Sequence, residues 1–252
     1  MAQIDCKLCG GTGWVVSERD GISAADRCSC IAESRTQDLE GKAQIPNKYW
    51  RAELGDFILT EDNPVEREIL ARAVTTVSSY AREFPVLTKP GLLLVGPPGV
   101  GKTYLAIAAL RRLLNKGHEG IFFDYQNLLQ RIRSGYDQTL GTSNREVYQS
   151  ALESEILLLD DLGGEKNVTD WVEDTVSGII AYRYNHRKAL IATTNQGDPE
   201  FGGLTTAAER HSGVPIRASL EQRIGERARS RLFEMCTIVK LWGVRDYRIR
   251  RG

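Results

Sequence analysis

The sequence lacks a net charge, a long apolar run and all but three histidines. Thirty-three basic residues balance 33 acidic ones, so the overall charge neither favours nor excludes a nucleic-acid partner. No apolar run approaches the length of a membrane span, and the N-terminus lacks the basic and then apolar build of a signal peptide. His118, His186 and His211 have no metal-like spacing, and we expect them to be structural or solvent-facing. These features predict a cytoplasmic globular protein with no membrane partner, and 41% hydrophobic content allows a substantial core.

Cysteine is also scarce, but four of the five cysteines lie close together near the N-terminus. Cys6 and Cys9 form one pair, and Cys28 and Cys30 form a second pair after eighteen residues. Four thiolates can surround one Zn²⁺ and leave no open position, which predicts a structural zinc site. The Cys-x-Cys spacing of the second pair departs from the commonest pattern. Four unrelated thiols, a redox pair or one unit of a zinc-dependent chaperone are the alternatives, and Cys236 is expected to be a buried thiol.

The strongest motif follows a short apolar run, Leu92–Val95, and precedes a predicted helix, Thr103–Asn115. It matches the phosphate-binding pattern G-x-x-x-x-G-K-[ST], in which glycines let backbone N–H groups surround a phosphate. In this pattern Lys102 reaches the β- and γ-phosphates and Thr103 offers its hydroxyl to Mg²⁺. A plain Gly/Pro turn is the alternative. The residues predicted to bind ATP or ADP are Gly96, Pro97, Pro98, Gly99, Val100, Gly101, Lys102, Thr103 and Tyr104.

Two further apolar runs end in polar residues. Ile156–Leu159 is followed by Asp160, the predicted Mg²⁺ ligand, and by Asp161, predicted to polarise the attacking water. Strand alternation predicts that these two carboxylates point to opposite sides. Asn195 ends the run that begins at Ala189, and its amide can bond the γ-phosphate or the attacking water. A buried strand ending in an ordinary surface turn is the alternative for either run.

Two arginine-bearing segments are predicted to be helical. The segment from Leu220 to Met235 carries Arg227 and Arg231 one turn apart on one face, where a guanidinium could complete the nucleotide site of a neighbouring subunit. Phosphate-backbone contact or a solvated face are the alternatives. The second segment, Gln126–Arg133, presents Arg131 and Arg133 near Tyr125 and Tyr136, a pattern typical of a single-stranded nucleic-acid track but equally of a solvated helix.

With these residues placed, the chain resembles the AAA+ ATPases of the DnaC type, the bacterial replicative helicase loaders, and also the related IstB transposition ATPases. The resemblance assigns Gly96–Thr103 to Walker A, Leu157–Asp161 to Walker B, Asn195 to sensor 1, and Arg227 and Arg231 to the arginine-finger helix, with Arg231 most like the finger. It also implies that the cysteine segment grips the replicative helicase. Many AAA+ proteins have Glu at the position of Asp161, and the shorter acid implies slow hydrolysis. The chain after the arginine helix is too short for a helical lid and its sensor 2 arginine.

These observations predict an α/β fold of the P-loop AAA+ type. We expect a three-layer sandwich around a five-stranded parallel sheet without a helical lid, occupying residues 45–252. Residues 1–44 would form a zinc-binding segment and a polar linker. The predicted function is ATP-dependent loading of a replicative helicase onto single-stranded DNA, with self-association through the arginine finger. An ATPase assisting a transposase is the alternative, and a small-molecule P-loop kinase or a binding adaptor with structural nucleotide fits less well.

Overall fold

A computed structural model describes residues 5–19, 22–59, 63–134, 143–165, 168–204 and 218–249. Its largest feature within these ranges is a five-stranded parallel sheet with the strand order β4-β5-β6-β3-β7. Three strands, β3, β5 and β6, are almost entirely buried, as a sheet covered on both faces requires. The strands of the sheet are β3 (Gly91–Val95), β4 (Gly120–Asp124), β5 (Ile156–Asp160), β6 (Ala189–Thr194) and β7 (Cys236–Lys240).

Helices cover both faces of this sheet and form two separate apolar clusters. One cluster joins the sheet to α1, α2 and α3, and the other joins it to the remaining helices. The predicted three-layer α/β sandwich with a five-stranded parallel sheet is therefore confirmed. The helices are α1 (Ser29–Lys42), α2 (Pro64–Glu83), α3 (Lys102–Asn115), α4 (Tyr125–Ser134), α5 (Ser143–Glu153), α6 (Asp170–Asn185), α7 (Leu220–Ile224) and α8 (Glu226–Met235). None of those in the described ranges is both long and apolar enough to cross a bilayer.

The polar linker predicted after the cysteines is wrong, because α1 occupies it. Leu39 and Ala43 are buried in the main apolar cluster, and Glu40 forms an ion pair with Arg111 of α3 at 2.9 Å. Ala43 also accepts a hydrogen bond from the N–H of Phe122 at 2.8 Å. Tertiary packing therefore stabilises a helix that its polar sequence did not indicate, while the division of the chain at residue 44 stays a prediction.

The single helix predicted from Leu220 to Met235 is also wrong. Gly225 has a φ of 82° and separates α7 from α8, and a side chain at this position would collide with Glu173 of α6. The positive φ favours a glycine at this position, and the neighbouring Glu173 leaves little room for a side chain. Residues 205–217, which include His211 and most of the predicted loop Gly197–Pro215, lie outside the described residues, as does Tyr136.

The N-terminal segment forms a two-stranded antiparallel hairpin, β1 (Trp14–Arg19) and β2 (Ile22–Arg27). Its small buried cluster consists of Cys9, Cys28 and Cys30, with Cys6, Val15 and Ile31 packed against it. We call residues 5–30, without the undescribed 20 and 21, the cysteine hairpin.

Candidate functional site

The predicted phosphate loop joins the end of β3 to the start of α3. Gly99 and Gly101 have φ values of 78° and 96°, a left-handed conformation that other residues adopt only at a cost. A Cβ atom on Gly101 would also come within 2.7 Å of the Phe57 ring. Because α3 begins at Lys102, its free N–H groups and positive end point toward this loop, an arrangement suited to an anion.

The Lys102 side chain is only 6% exposed and lies inside the loop. Its Nζ donates hydrogen bonds to the carbonyl oxygens of Gly96 and Pro97 at 2.8 and 2.7 Å, and to Asn195 Oδ1 at 2.6 Å. Burial lowers the pKa of this amine to about 8, against the opposing charges of Asp161 and Asp160. All three protons of the ammonium group thus contact the chain, so a bound phosphate would have to replace one of these acceptors.

Asp160 ends β5 and faces Thr103, the second residue of α3. Thr103 Oγ1 donates to Asp160 Oδ1 at 2.8 Å. A hydroxyl and a carboxylate are the hard oxygen ligands that Mg²⁺ prefers, usually alongside waters and substrate phosphates. The donor set at the start of α3 and the end of β5 therefore fits a Mg²⁺ bound together with a nucleotide.

Asp161 does not point away from Asp160, and the predicted alternation is wrong at this residue. Its φ is 59°, so the extended conformation ends at Asp160 and both carboxylates line one cavity. Burial and the neighbouring Asp160 raise the pKa of Asp161, and Lys102 opposes the shift. Its carboxylate accepts a hydrogen bond from Asn195 Nδ2. Asn195 therefore bridges the lysine and the second acid, and the different roles predicted for the two acids stay predictions.

The cavity around these residues has a volume of about 700 Å³. Tyr49 and Phe57, from the segment that precedes α2, line it together with Tyr104 of α3. The ring centroids of Phe57 and Tyr104 are 5.7 Å apart, and the Tyr104 hydroxyl bonds the main chain of Glu53 at 3.1 Å. Apolar rings beside a phosphate loop can receive a nucleobase.

The C-terminal tail, residues 244–249, forms part of this site, which was not predicted from the sequence. Val244, Arg245, Tyr247 and Arg248 line the cavity, and the Tyr247 N–H bonds the Gly99 carbonyl at 3.0 Å. Arg245 is tied to the buried Glu66 at the start of α2 at 2.5 Å. The signal was available in principle: β7 is parallel to β3, so the residues after both strands meet at one edge of the sheet.

The predicted arginine-finger residues lie on α8, away from the cavity of their own chain. Arg227 is exposed and Arg231 is half-buried, and neither is among the residues that line the cavity. Arg229, between them, has a structural role because it forms two hydrogen bonds with the fully buried Asp198 at 2.6 and 2.7 Å. The arrangement leaves Arg227 and Arg231 accessible to another subunit.

The structure removes one part of the predicted nucleic-acid track. Tyr125 is 1% exposed and belongs to the core, so its ring cannot stack on a base. The guanidinium groups of Arg131 and Arg133 lie over the rings of Phe123 and Trp171, at 5.6 and 6.0 Å from the ring centroids. These arginines stay candidates for contact with a phosphate backbone.

The four N-terminal cysteines come together as predicted from their spacing. Their sulfur atoms lie within 4.8 Å of one another, with 3.7 Å between Cys6 and Cys28 and 3.6 Å between Cys9 and Cys30. Tetrahedral Zn²⁺ with bonds of about 2.3 Å separates its sulfur ligands by roughly 3.8 Å. All four are free thiols, and their spacing fits a four-thiolate metal site.

The fold and the loop geometry define a P-loop nucleotide-binding protein. The profile of the IstB-like ATP binding proteins matches residues 48–203, more than half of the chain, and the chain belongs to this family of ATP-binding ATPases. It is thus a DnaC/IstB-like AAA+ ATPase, as the sequence resemblance predicted.

The individual relatives include a helicase loader, a protein of a phage-like element and a protein of an insertion sequence. A crystal structure of the DnaC helicase loader is 33% identical and superimposes with a TM-score of 0.61, covering 77% of this chain and 99% of that one. The phage-like element PBSX protein XkdC of Bacillus subtilis is 23% identical over 94% of this chain and 81% of its own length. The putative ATP-binding protein of insertion sequence IS5376 of Geobacillus stearothermophilus is 24% identical over 69% of this chain and 64% of its own length.

Proposed function

We propose that this ATPase loads a replicative DNA helicase onto single-stranded DNA when replication begins. The observation that carries the proposal is the 33% identity to the DnaC helicase loader over 99% of that chain. We further propose that the four cysteines bind a structural Zn²⁺ and that the cysteine hairpin grips the helicase. The exposed Leu8, Trp14 and Val16 on this hairpin offer apolar contact area for a partner.

We call the edge of the sheet where β3, β5 and β6 end the carboxyl edge. Its geometry supports a mechanism for ATP hydrolysis. The loop N–H groups and Lys102 would bind the nucleotide phosphates, and Thr103 and Asp160 would hold Mg²⁺, which when bound neutralises developing phosphate charge. Asp161, whose pKa burial raises, is suited to accept a proton from the attacking water. Asn195 would orient that water while holding Asp161. Hydrolysis is expected to be slow because the Asp161 side chain is short.

A second copy of the chain is expected to complete the site. Arg231 lies outside the cavity of its own chain, so its predicted contact with a γ-phosphate requires another subunit. The active form would then be an oligomer on the helicase or on DNA, and partner or DNA binding would stimulate hydrolysis by bringing the subunits together. Arg131 and Arg133 are the proposed contacts with single-stranded DNA.

An ATPase that assists a transposase is the second candidate. The match to the IstB-like family and the likeness to the IS5376 protein favour it. The two candidates differ in partner and in DNA substrate: the loader needs a helicase and a single strand, whereas the transposition ATPase needs a transposase and duplex DNA.

A loading assay separates the two candidates. The purified chain is mixed with the replicative helicase of the same genome, ATP and circular single-stranded DNA, and DNA-bound helicase is counted. We expect a stable complex with the helicase and ATP-dependent transfer to the circle, which Lys102→Ala abolishes. A chain that ignores the helicase but binds duplex DNA together with a transposase would contradict the loader proposal. Normal loading by Lys102→Ala would instead indicate an adaptor with structural nucleotide.

A further inference from the structure

Thr193, on β6, contacts Asp160 at the end of β5 and the following Asp161 through one hydroxyl. Its Oγ1 donates to Asp160 Oδ1 at 2.6 Å and accepts the N–H of Asp161 at 2.9 Å. A hydroxyl carries a single proton, so accepting the Asp161 N–H leaves that proton for Asp160. The side chain is 1% exposed, and bulk water therefore has little access to either bond.

The Asp161 backbone has a left-handed conformation, which Asp tolerates better than most residues but which neighbouring contacts must still hold. A residue other than glycine at a φ of 59° is uncommon and persists where the surroundings hold it. The Asp161 N–H is held by Thr193, and its carbonyl accepts the N–H of Gly164 at 2.9 Å. A Cβ on Gly164 would come within 2.7 Å of the Asp161 carboxylate. The turn that brings the second acid to the cavity thus depends on contacts from both β6 and its own loop.

The hydroxyls of Thr103 and Thr193 both donate to Asp160, but they are not equivalent. Thr103 is itself an expected Mg²⁺ ligand, so its hydrogen bond to Asp160 would compete with the metal. Thr193 approaches from the neighbouring strand, and its carbonyl also accepts the N–H of Leu162 at 2.8 Å. It can therefore keep orienting the carboxylate when Thr103 turns to a metal.

We propose that Thr193 is a positioning residue. Its hydroxyl orients the Asp160 carboxylate toward Mg²⁺ and holds the Asp161 backbone so that the Asp161 carboxylate faces the attacking water. The position of the metal-binding acid and that of the base are thereby coupled. The sequence offered no direct signal, because the contact crosses two strands that are far apart in the chain. This inference rests on the proposed placement of Mg²⁺ at Thr103 and Asp160.

The test compares Thr193→Val with Thr194→Val, a matched control on the same strand. Thr194 is also fully buried, but its hydroxyl bonds the carbonyl of Leu162 at 2.8 Å and not an acid. Binding of a fluorescent ATP analogue is measured as Mg²⁺ is titrated, alongside binding in EDTA, ATP turnover and urea unfolding. We expect Thr193→Val to raise the Mg²⁺ concentration for half-maximal binding by about 10- to 100-fold and to lower kcat by a similar factor.

The conservative variant and the matched control decide the inference. Thr193→Ser should restore the Mg²⁺ midpoint, and Thr194→Val should keep it while losing comparable stability. Equal midpoints for Thr193→Val and Thr194→Val would overturn the proposal. If Thr193→Val fails to fold, Thr193→Ala and Thr193→Ser, which differ by the hydroxyl alone, make the same comparison, and equal midpoints overturn it again.

Asp160→Asn separates failure of this inference from failure of the metal placement. We expect this variant to lose the Mg²⁺-dependent gain in affinity. If it keeps the wild-type Mg²⁺ response, the metal is not at Asp160 and the proposed site is wrong, whatever Thr193 does. If it loses the response while Thr193→Val does not, the metal placement stands and only the role of Thr193 is overturned.

Discussion

The cysteine hairpin and the carboxyl edge of the sheet organise their polar atoms by different means. The hairpin buries little besides Cys9, Cys28 and Cys30, and it leaves Leu8, Trp14 and Val16 at least half exposed. The carboxyl edge rests on strands whose residues are almost all buried, and hydrogen bonds already connect Thr103, Asp160, Thr193, Asp161, Asn195 and Lys102. The sheet can therefore hold its site without a ligand, whereas the hairpin has too small a core to do so.

The largest expected effect is the response of the cysteine hairpin to metal removal. A strong chelator, or Cys9→Ser, should unfold the hairpin, because structural zinc contributes on the order of 10 kcal/mol to such segments. Amide hydrogen exchange should then lose all protection in β1 and β2 while β3 stays protected. This result would separate the two regions as metal-dependent and metal-independent.

The fifth cysteine provides the control for metal removal. Cys236 is fully buried in the second apolar cluster, and burial raises the pKa of its thiol to about 12. Cys236→Ser should keep bound zinc and hairpin protection even if it lowers the stability of the sheet. Unchanged protection of the hairpin after chelation would contradict the proposed zinc site.

The second largest expected effect comes from Arg231. It shows whether one chain supplies all the side chains that ATP hydrolysis needs. Arg231→Ala should lower ATP hydrolysis by about 10³- to 10⁵-fold, as loss of an arginine finger does, yet leave nucleotide binding intact because Arg231 does not line the cavity of its own chain. Mixing this variant with Lys102→Ala should restore activity, since one variant supplies the finger and the other an intact loop.

A second arginine of α8 and an exposed arginine of α2 provide controls for this experiment. Arg227→Ala shows which of the two accessible side chains on α8 acts on the neighbouring site. Arg67→Ala removes an exposed arginine of α2 and should change nothing. Full activity of Arg231→Ala alone would exclude it as the finger.

The contrast between the two regions also explains which features could be predicted from the sequence. The phosphate-loop motif, the strands of the parallel sheet and the cysteine cluster are encoded by local spacing and could be predicted, whereas the hairpin strands β1 and β2 were not predicted. The left-handed Asp161 and the Thr193 contacts depend on the pairing of β5 with β6, and the tail reaches the cavity because β7 lies beside β3. Helix α1 and the break at Gly225 follow from packing against α3 and α6. Contacts between distant segments were thus the features that local patterns did not reveal.

A third experiment tests the claim that internal contacts, and not a ligand, stabilise the sheet. Arg183 of α6 is fully buried, and its guanidinium bonds the carbonyl oxygens of Ala151, Leu152, Ser154, Glu155 and Ala189. These carbonyls lie at the end of α5, just before β5 and at the start of β6. The last carbonyl groups of a helix have no partner within the helix, and Arg183 supplies donors for those of α5. Arg183→Met leaves these buried oxygens without a donor and should cost about 1 to 3 kcal/mol in the free energy of unfolding for each one that finds no other partner.

Urea unfolding measures this cost, with Arg67→Met as the exposed control. The midpoint should fall for Arg183→Met, with zinc still bound to the hairpin, and should stay unchanged for the control. If Arg183→Met were as stable as the wild type, the carbonyl network would not be a main source of the stability of the sheet, and the contrast with the hairpin would weaken.

The smallest effect concerns a single amide within the carboxyl edge. Asn195→Ala removes the bridge between Lys102 and Asp161, so it should lower kcat by about 10²- to 10³-fold, the range for losing one oriented donor. The nucleotide Kd should change little, because the loop N–H groups and Lys102 remain. Gln196→Ala is the matched control: its amide bonds the Gly163 carbonyl at 3.0 Å and lies outside the residues that line the cavity. Equal turnover of the two variants would mean that the preformed bridge holds the resting site together and does not act on the attacking water.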